Sequence, residues 1–440
     1  MKRLSTLIYA ILLLVSASLA GERQDSVVVS LVTCWPGSEV YELCGHEAIR
    51  VRGVDRFGTP LDSVWNYGTF DFAQPNFVYR FVKGETDYML SSYPFSLFMQ
   101  EYMMFGRHVE EQDLNLTPAE ASKLLSMLRT EALPANRVYR YNYVKDNCAT
   151  RILDRLDQVA SSRIIYPDSI AYGTFRREMR AYHRDYPWYQ FGIDLALGSG
   201  IDTPITGRQE MFVPLEMMKK VEGAHFADGR PLVAQHRVVF DGIPDATLGP
   251  TPWIASPLTL SLSLMTLTIL LCWIQWRRQR VWRWFYTLIF SLMGLGGCII
   301  TFLVFFSSHE ATSPNMLLIW LNPLQLIFAA SIWSGRRLRW LSLAIAYYDI
   351  IALLVSGIVW PFQQQCANPA FFPLMALTMI MAITYALIPR AEGYINKKYK
   401  SAKSRTYEET RSLGVVGGGS SVARRSGRSG ATTSRGRYRR

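Results

Sequence analysis

The sequence predicts an α+β domain followed by an all-α bundle of five transmembrane helices. Three observations carry this. Strand-like runs and amphipathic helical patterns interleave up to about residue 250. From Trp253 on, five apolar segments follow one another, each near the ~20 residues a membrane helix needs. The loops between those segments alternate between basic and free of Lys and Arg.

Met1 to Ala20 reads as a signal peptide, with Lys2 and Arg3 ahead of an apolar core and Ser18-Leu19-Ala20 as a small-residue cleavage site. Residues 21–250 then form an exported domain. Ser26 to Thr33 is a continuous apolar run, as in a buried strand. His46 to Arg52 alternates: Ile49 and Val51 point one way, His46, Ala48 and Arg50 the other, which puts His46 on a polar face. Turn residues Asp55 to Gly58 lead to a return strand at Ser63 to Tyr67. Thr117-Pro118-Ala-Glu120 is a capping box with proline at the first helical position, and Ala121, Leu124, Leu125 and Leu128 mark the buried stripe behind it. Tyr139 to Tyr143 is strand-like and leads into Cys148. Asn147 is placed as an N-cap, and Ala149, Ile152, Leu153, Leu156 and Ala160 recur at helical spacing. Beyond this lie aromatic loops and a Met-rich helix near Leu215 to Val221, with no chemistry to read in them.

Residues 251–390 hold the five apolar segments, at about 253–275, 285–306, 316–334, 340–360 and 370–389. Arg277, Arg278, Arg280 and Arg283 fill the first loop, and Arg336, Arg337 and Arg339 the third. The second and fourth carry no Lys or Arg. The positive-inside rule therefore puts the first domain outside and the C-terminus in the cytoplasm of a bacterial inner membrane, as an odd number of spans also requires. Trp253, Trp273, Trp333, Trp340 and Trp360 sit near segment ends, like interface anchors. Asp349 needs a partner inside the bilayer, and Asn322 is the candidate. Residues 391–440 read as a disordered basic tail. From Arg390 on there are fourteen Lys and Arg against three Asp and Glu, which is nearly all of the net +12. The charge thus reports topology and anionic-lipid contact rather than nucleic-acid binding.

The six cysteines neither form a dense disulfide pattern nor cluster as metal ligands, and no cofactor motif is present. A Cys34–Cys44 bridge is open in an oxidising compartment. Cys148 is the candidate nucleophile, because a thiol at a helix N-terminus meets the positive end of the dipole, which favours thiolate. His46 is the candidate base. Asn66, on the strand expected to pair with that of His46, is the candidate orienter of the ring. The N–H of Cys148 and the hydroxyl of Tyr141 are candidate oxyanion donors. Tyr67 and Asn147 are candidate substrate contacts, as are His309 and Glu310 in the outer loop. Each also has a structural reading: a small core cysteine, a satisfied histidine, a turn asparagine, core tyrosines.

The order of the pieces, Gly45-His46 on an early strand and Asn147-Cys148 at a helix start about a hundred residues later, resembles the circularly permuted papain-like (NlpC/P60-like) group that includes lecithin–retinol acyltransferase. Tyr141 matches a tyrosine that group places seven residues before its cysteine. A second histidine often found twelve residues after the first is here Gly58, which leaves the third member to Asn66. Leu31-Val-Thr-Cys-Trp-Pro-Gly-Ser-Glu-Val-Tyr-Glu-Leu-Cys-Gly-His46, Asn66-Tyr-Gly-Thr-Phe-Asp-Phe72 and Asp146-Asn-Cys-Ala-Thr-Arg151 are similar to Lnb-type lipoprotein N-acyltransferases, and the helical bundle fits the same family. That resemblance implies transfer of a phospholipid acyl chain, through a cysteine thioester, to the α-amino group of the diacylglyceryl-cysteine of an exported lipoprotein. Two other readings stay open: a membrane-anchored thiol hydrolase (phospholipase or cell-wall amidase) using the same pair, and a non-enzymatic envelope scaffold.

Overall fold

The computed structural model describes residues 25–167, 173–243, 249–335 and 337–388, with residues 405, 408 and 409. The expected signal peptide, Arg336 and all but three residues of the expected tail lie outside them.

The first half is built on one antiparallel sheet. Its strands are β1 (Ser26–Cys34), β2 (His46–Val54), β3 (Pro60–Thr69), β4 (Asp87–Pro94), β5 (Val109–Leu114), β6 (Val138–Arg140) and β7 (Val233–Phe240), in the order β6-β4-β3-β2-β1-β5-β7. Helix α1 (Phe77–Lys83) joins β3 to β4, and α2 (Phe95–Met104) follows β4. Helices α3 (Pro118–Glu131) and α4 (Cys148–Val159) cover one face of the sheet. There Ile49, Val51 and Trp65 meet Leu124, Leu128, Ile152 and Leu156 in the main core. Both helices start as the sequence requires: the Glu120 N–H donates to Thr117 Oγ1, and the Thr150 N–H donates to Asn147 Oδ1.

The other face of β2 departs from expectation. It is not a free polar face, because α2 covers it: Ala48 and Val64 pack with Phe95 and Phe98. The polar residues on this side are tied down instead of hydrated. Arg50 bonds Asp62 and Glu111 and lies over the Phe95 ring at 3.5 Å.

Helices α5 (Phe175–Tyr182), α6 (Pro187–Ala196) and α7 (Pro214–Glu222) complete this half. Arg176 fastens α5 to α6 from within. It is 1% exposed and reaches Asp194 and Asp202, each at 2.8 Å, and the carbonyls of Leu197 and Gly198.

The second half is helical: α8 (Pro257–Arg278), α9 (Arg283–Phe305), α10 (Leu324–Ser331), α11 (Arg339–Val359) and α12 (Phe371–Ile388). Among the described residues four of these, α8, α9, α11 and α12, are long and apolar enough to cross a membrane. The third expected span is not one continuous helix. It runs as a short 3-10 turn, Met316–Ile319, then breaks at Asn322-Pro323 and resumes as α10. Proline lacks the N–H and disfavours helix in the residue before it. The broken segment still runs antiparallel to α9. Asn315 at one end donates to Leu195 O, on the sheet-domain side, while Trp333 at the other packs on Trp284 at 4.6 Å. Gly297 permits the close approach, since a Cβ there would fall 2.5 Å from Asn322 backbone atoms. Buried Asp349 accepts from Gln325 Nε2 at 3.4 Å rather than from the expected Asn322, whose oxygen accepts the Leu324 N–H.

The two halves are docked by backbone as well as side chains. Gly198 and Ser199 N–H groups donate to Ala311 and Pro314 carbonyls, both at 2.8 Å. Asn368 donates to Asp194 at 2.9 Å, and the Phe191 and Phe371 rings lie 5.0 Å apart.

Candidate active site

The site forms where the sheet opens. Pairing of β2 with β3 runs from Val54–Pro60 to Ile49–Trp65 and stops; one strand further, the β3–β4 register shifts between Asn66 and Thr69. The start of α4 comes in over this fork. Gly45 turns the chain into β2 with φ +78°, and a Cβ there would meet Cys34 O at 2.7 Å, so glycine is required directly before His46.

His46 Nε2 donates to Asn66 Oδ1 at 2.6 Å. An amide oxygen only accepts, so the proton sits on Nε2 and Nδ1 carries the basic lone pair. Among the described residues Nδ1 makes no hydrogen bond. Asn66 is itself held, because its Nδ2 donates to the Tyr93 hydroxyl at 3.1 Å.

Cys148 is the first residue of α4 and is buried. Three backbone N–H groups point at its sulfur: its own, that of Ala149 and that of Glu47. No hydrogen bond joins the sulfur to the imidazole among the described residues. They are linked through one peptide unit, since the N–H that meets the sulfur belongs to the residue after His46. Catalytic hydrogen bonds are often long before substrate binds.

The helix N-terminus was expected to favour thiolate. Burial overrides it. Removal from water raises the Cys148 thiol to about 11, although the three N–H donors pull the other way. Burial also lowers the His46 imidazole to about 4, helped by the positive charge of Arg107 and opposed by the bond to Asn66. At rest the thiol and the imidazole are therefore both neutral. Glu47, which is fully buried, has its carboxyl pushed well up by burial and accepts from Thr33 Oγ1 at 2.9 Å.

Tyr141 lies at the site. A Cβ on Gly68 would fall 3.4 Å from the Tyr141 ring and 3.9 Å from Cys148 Cβ, so ring and cysteine flank the same glycine. Tyr67 is turned elsewhere. It is 1% exposed, and its hydroxyl donates to Glu131 at 2.6 Å, which Arg155 also pairs. Asn147 does not reach outward either: its oxygen caps α4, and its Nδ2 donates to Tyr143 O and Phe212 O. Both belong to the support of the site rather than to a substrate surface. His309 and Glu310 face the sheet domain. His309 Nε2 donates to Phe81 O at 2.9 Å, and Glu310 pairs with Lys145 at 2.5 Å, three residues before Cys148.

No disulfide joins Cys34 to Cys44; both are free, as are the four other cysteines. Cys34 is buried beside Tyr102 on the α2 side. The Cys44 sulfur lies 3.4 Å from the Tyr143 hydroxyl and 3.9 Å from His183 Nε2. Among the described residues no group of three His, Cys, Asp or Glu could hold a metal ion.

Sequence reasoning missed Glu47, Tyr93 and Arg107. Glu47 had a signal, as an acidic residue inside an otherwise apolar alternation next to His46. Tyr93 and Arg107 had none, because only strand pairing and chain return bring them near.

A thiol at a helix start, an imidazole oriented by an amide, and backbone N–H donors at the thiol are groups of the kind that thiol acyl transfer uses. Two family models match the chain. The Lnb N-terminal periplasmic domain covers residues 20–177, and the Lnb transmembrane domain covers residues 250–392. No curated protein and no solved structure is significantly similar to it.

Proposed function

Because the chain belongs to the Lnb family, we propose that it is a lipoprotein N-acyltransferase. On this reading residues 21–250 are a periplasmic domain of permuted papain-like type. Residues 251–390 anchor it in the inner membrane, and 391–440 lie in the cytoplasm. The observation that carries the reading is the 2.6 Å His46–Asn66 bond across the fork that receives Cys148.

In the first half-reaction His46 Nδ1 takes the Cys148 proton as the sulfur attacks an ester carbonyl of a phospholipid. The N–H groups of Cys148, Ala149 and Glu47, which meet the sulfur, favour the negative charge it gains as its proton leaves. The C–O bond breaks, the imidazolium gives its proton to the departing lysophospholipid oxygen, and the acyl chain remains as a thioester. In the second half-reaction the α-amino group of a diacylglyceryl-cysteine attacks the thioester, its proton passing to His46. The C–S bond breaks and the sulfur is reprotonated. The product is an amide, and the kinetics are ping-pong.

No charge is held in a dry site before the lipid arrives, and the proton moves only as the bond forms. Docking on an apolar bundle suits this chemistry, because both substrates are lipids of one leaflet and need not leave it for water.

The test is mass spectrometry of a lipoprotein's N-terminal peptide from cells carrying either the wild-type protein or Cys148→Ala. The N-acyl group is expected with the first and missing with the second, a loss on the order of 10³-fold or more. Full N-acylation by Cys148→Ala overturns the proposal. Lysophospholipid and free fatty acid without an acylated amine would replace it with the hydrolase reading.

A further inference from the structure

An unbroken series of aromatic rings leaves Cys148 and ends at the membrane helices. The Tyr141 ring, beside Cys148, stacks on Tyr88 at 4.4 Å. Tyr88 meets Phe70 at 5.2 Å, Phe70 meets Phe77 at 5.8 Å, and Phe77 meets Phe81 at 6.0 Å. Phe72 flanks the middle of the series, 4.7 Å from Phe70 and 5.1 Å from Phe77.

The far end is fixed to the end of α9. The Ser308 N–H donates to Lys83 O at 2.8 Å, His309 donates to Phe81 O, and the Tyr79 ring lies 6.3 Å from Phe302. Phe305, the last residue of α9, and Phe306 after it are exposed. Helix α1 therefore lies at the height where the spanning helix leaves the hydrocarbon, the zone that aromatic residues favour. Its outer side and the loop before it are apolar and uncovered: Phe72, in the loop, is 62% exposed, and Val78 and Phe81, in the helix, are 73% and 50% exposed. A solvated surface turn has no physical reason to carry such a set, whereas a surface continuous with the lipid phase does.

We infer that this series is the path by which one acyl chain of an outer-leaflet phospholipid passes from the bilayer edge to the Cys148 sulfur. The inference rests on the acyltransferase reading and adds the route and the side of approach. Aromatic faces hold a methylene chain without fixing its register, so the path selects for an acyl chain and not for a particular headgroup. Tyr88 and Tyr141 bring its last stretch up to the thiol. The short helix α1, pinned by its carbonyls to the loop after α9, keeps the outer part level with the leaflet.

The experiment uses the full-length protein in phosphatidylethanolamine/phosphatidylglycerol vesicles that contain a trace of phospholipid with a diazirine in one acyl chain. After photolysis, peptide mapping is expected to place the label within residues 70–88 and an acyl group on Cys148. An acylated Cys148 with no label in 70–88 overturns the path alone. A wild-type protein with no acyl group on Cys148 overturns the acyltransferase reading and the path with it. In parallel, Phe72→Asp and Val78→Asp are assayed separately for Cys148 acylation by vesicle phospholipid and by the water-soluble ester p-nitrophenyl butyrate. The phospholipid rate is expected to fall at least tenfold further than the soluble-ester rate. Equal changes with the two donors, in both variants, overturn the path.

Discussion

His46 and Asn66 stand on neighbouring strands that have already separated, and the 2.6 Å bond between Nε2 and Oδ1 closes the gap. That bond sets the tautomer, and the tautomer leaves the free lone pair on Nδ1. Asn66 therefore orients the His46 ring, and on the proposed mechanism it acts through His46 rather than on substrate.

Its replacement has two separable outcomes. Asn66→Ala is expected to lower kcat by about 10- to 100-fold, part of the contribution of a positioned general base. Asn66→Asp keeps the acceptor and adds a negative charge beside the ring, which favours imidazolium and raises the His46 pKa above about 4. The acidic limb of the rate–pH profile should move to higher pH in this variant. An unmoved limb would mean that Asn66 does not act through His46.

The buried thiol makes a prediction of its own. With Cys148 raised to about 11, its thiolate fraction at neutral pH is small and grows tenfold per pH unit until that value is reached. Alkylation of Cys148 by iodoacetamide, followed by peptide mass spectrometry, should therefore be slow at pH 7 and climb steadily through pH 10. A rate already at its plateau by pH 6 would indicate a resting thiolate–imidazolium pair instead.

Asn147 holds Cys148 in place through the helix start. Its side chain accepts from the Thr150 N–H and donates to two carbonyls, one of them Phe212 O in a distant segment. Asn147→Ala should cost roughly 1–2 kcal/mol for the cap alone, read as a lowered thermal unfolding midpoint in detergent. Asn147→Ser, which restores the cap but not the tie to Phe212, should recover part of the loss.

The Arg176 clamp supports the docking of the two halves. Asp194, one of its partners, also bonds Arg180 and Asn368. Arg176→Ala takes from buried Asp202 the cation it pairs with and leaves Asp194 with Arg180 alone, a change of the kind that costs roughly 3–5 kcal/mol. A thermal shift no larger than that of an exposed control such as Arg137→Ala would show the clamp to be dispensable.

The parts of this protein written locally were legible in its sequence. The strand of His46, the caps at Thr117 and Asn147, the helix behind Cys148 and the apolar segments each follow from residues within one turn or one alternation of each other. The family was legible for the same reason, since its motifs are short contiguous stretches. The state of the thiol was not, because local position argued for a lowered pKa while burial by α4 and the sheet raised it. Nor was the break at Pro323 given weight, because composition alone counts an apolar stretch as a span whether or not its backbone can stay helical.

Tertiary structure decided which polar groups meet. Tyr93 reaches Asn66 through strand register, Glu47 turns its N–H to the sulfur because β2 and β3 part, and Tyr67 is drawn to Glu131 on another helix. The aromatic series from Tyr141 to Phe81 crosses a strand, a loop and a helix, so no periodicity could display it. Local sequence sets backbone conformation and the inward side of each element. Which side chains end up adjacent depends on how those elements pack, and that choice is made by the whole chain at once.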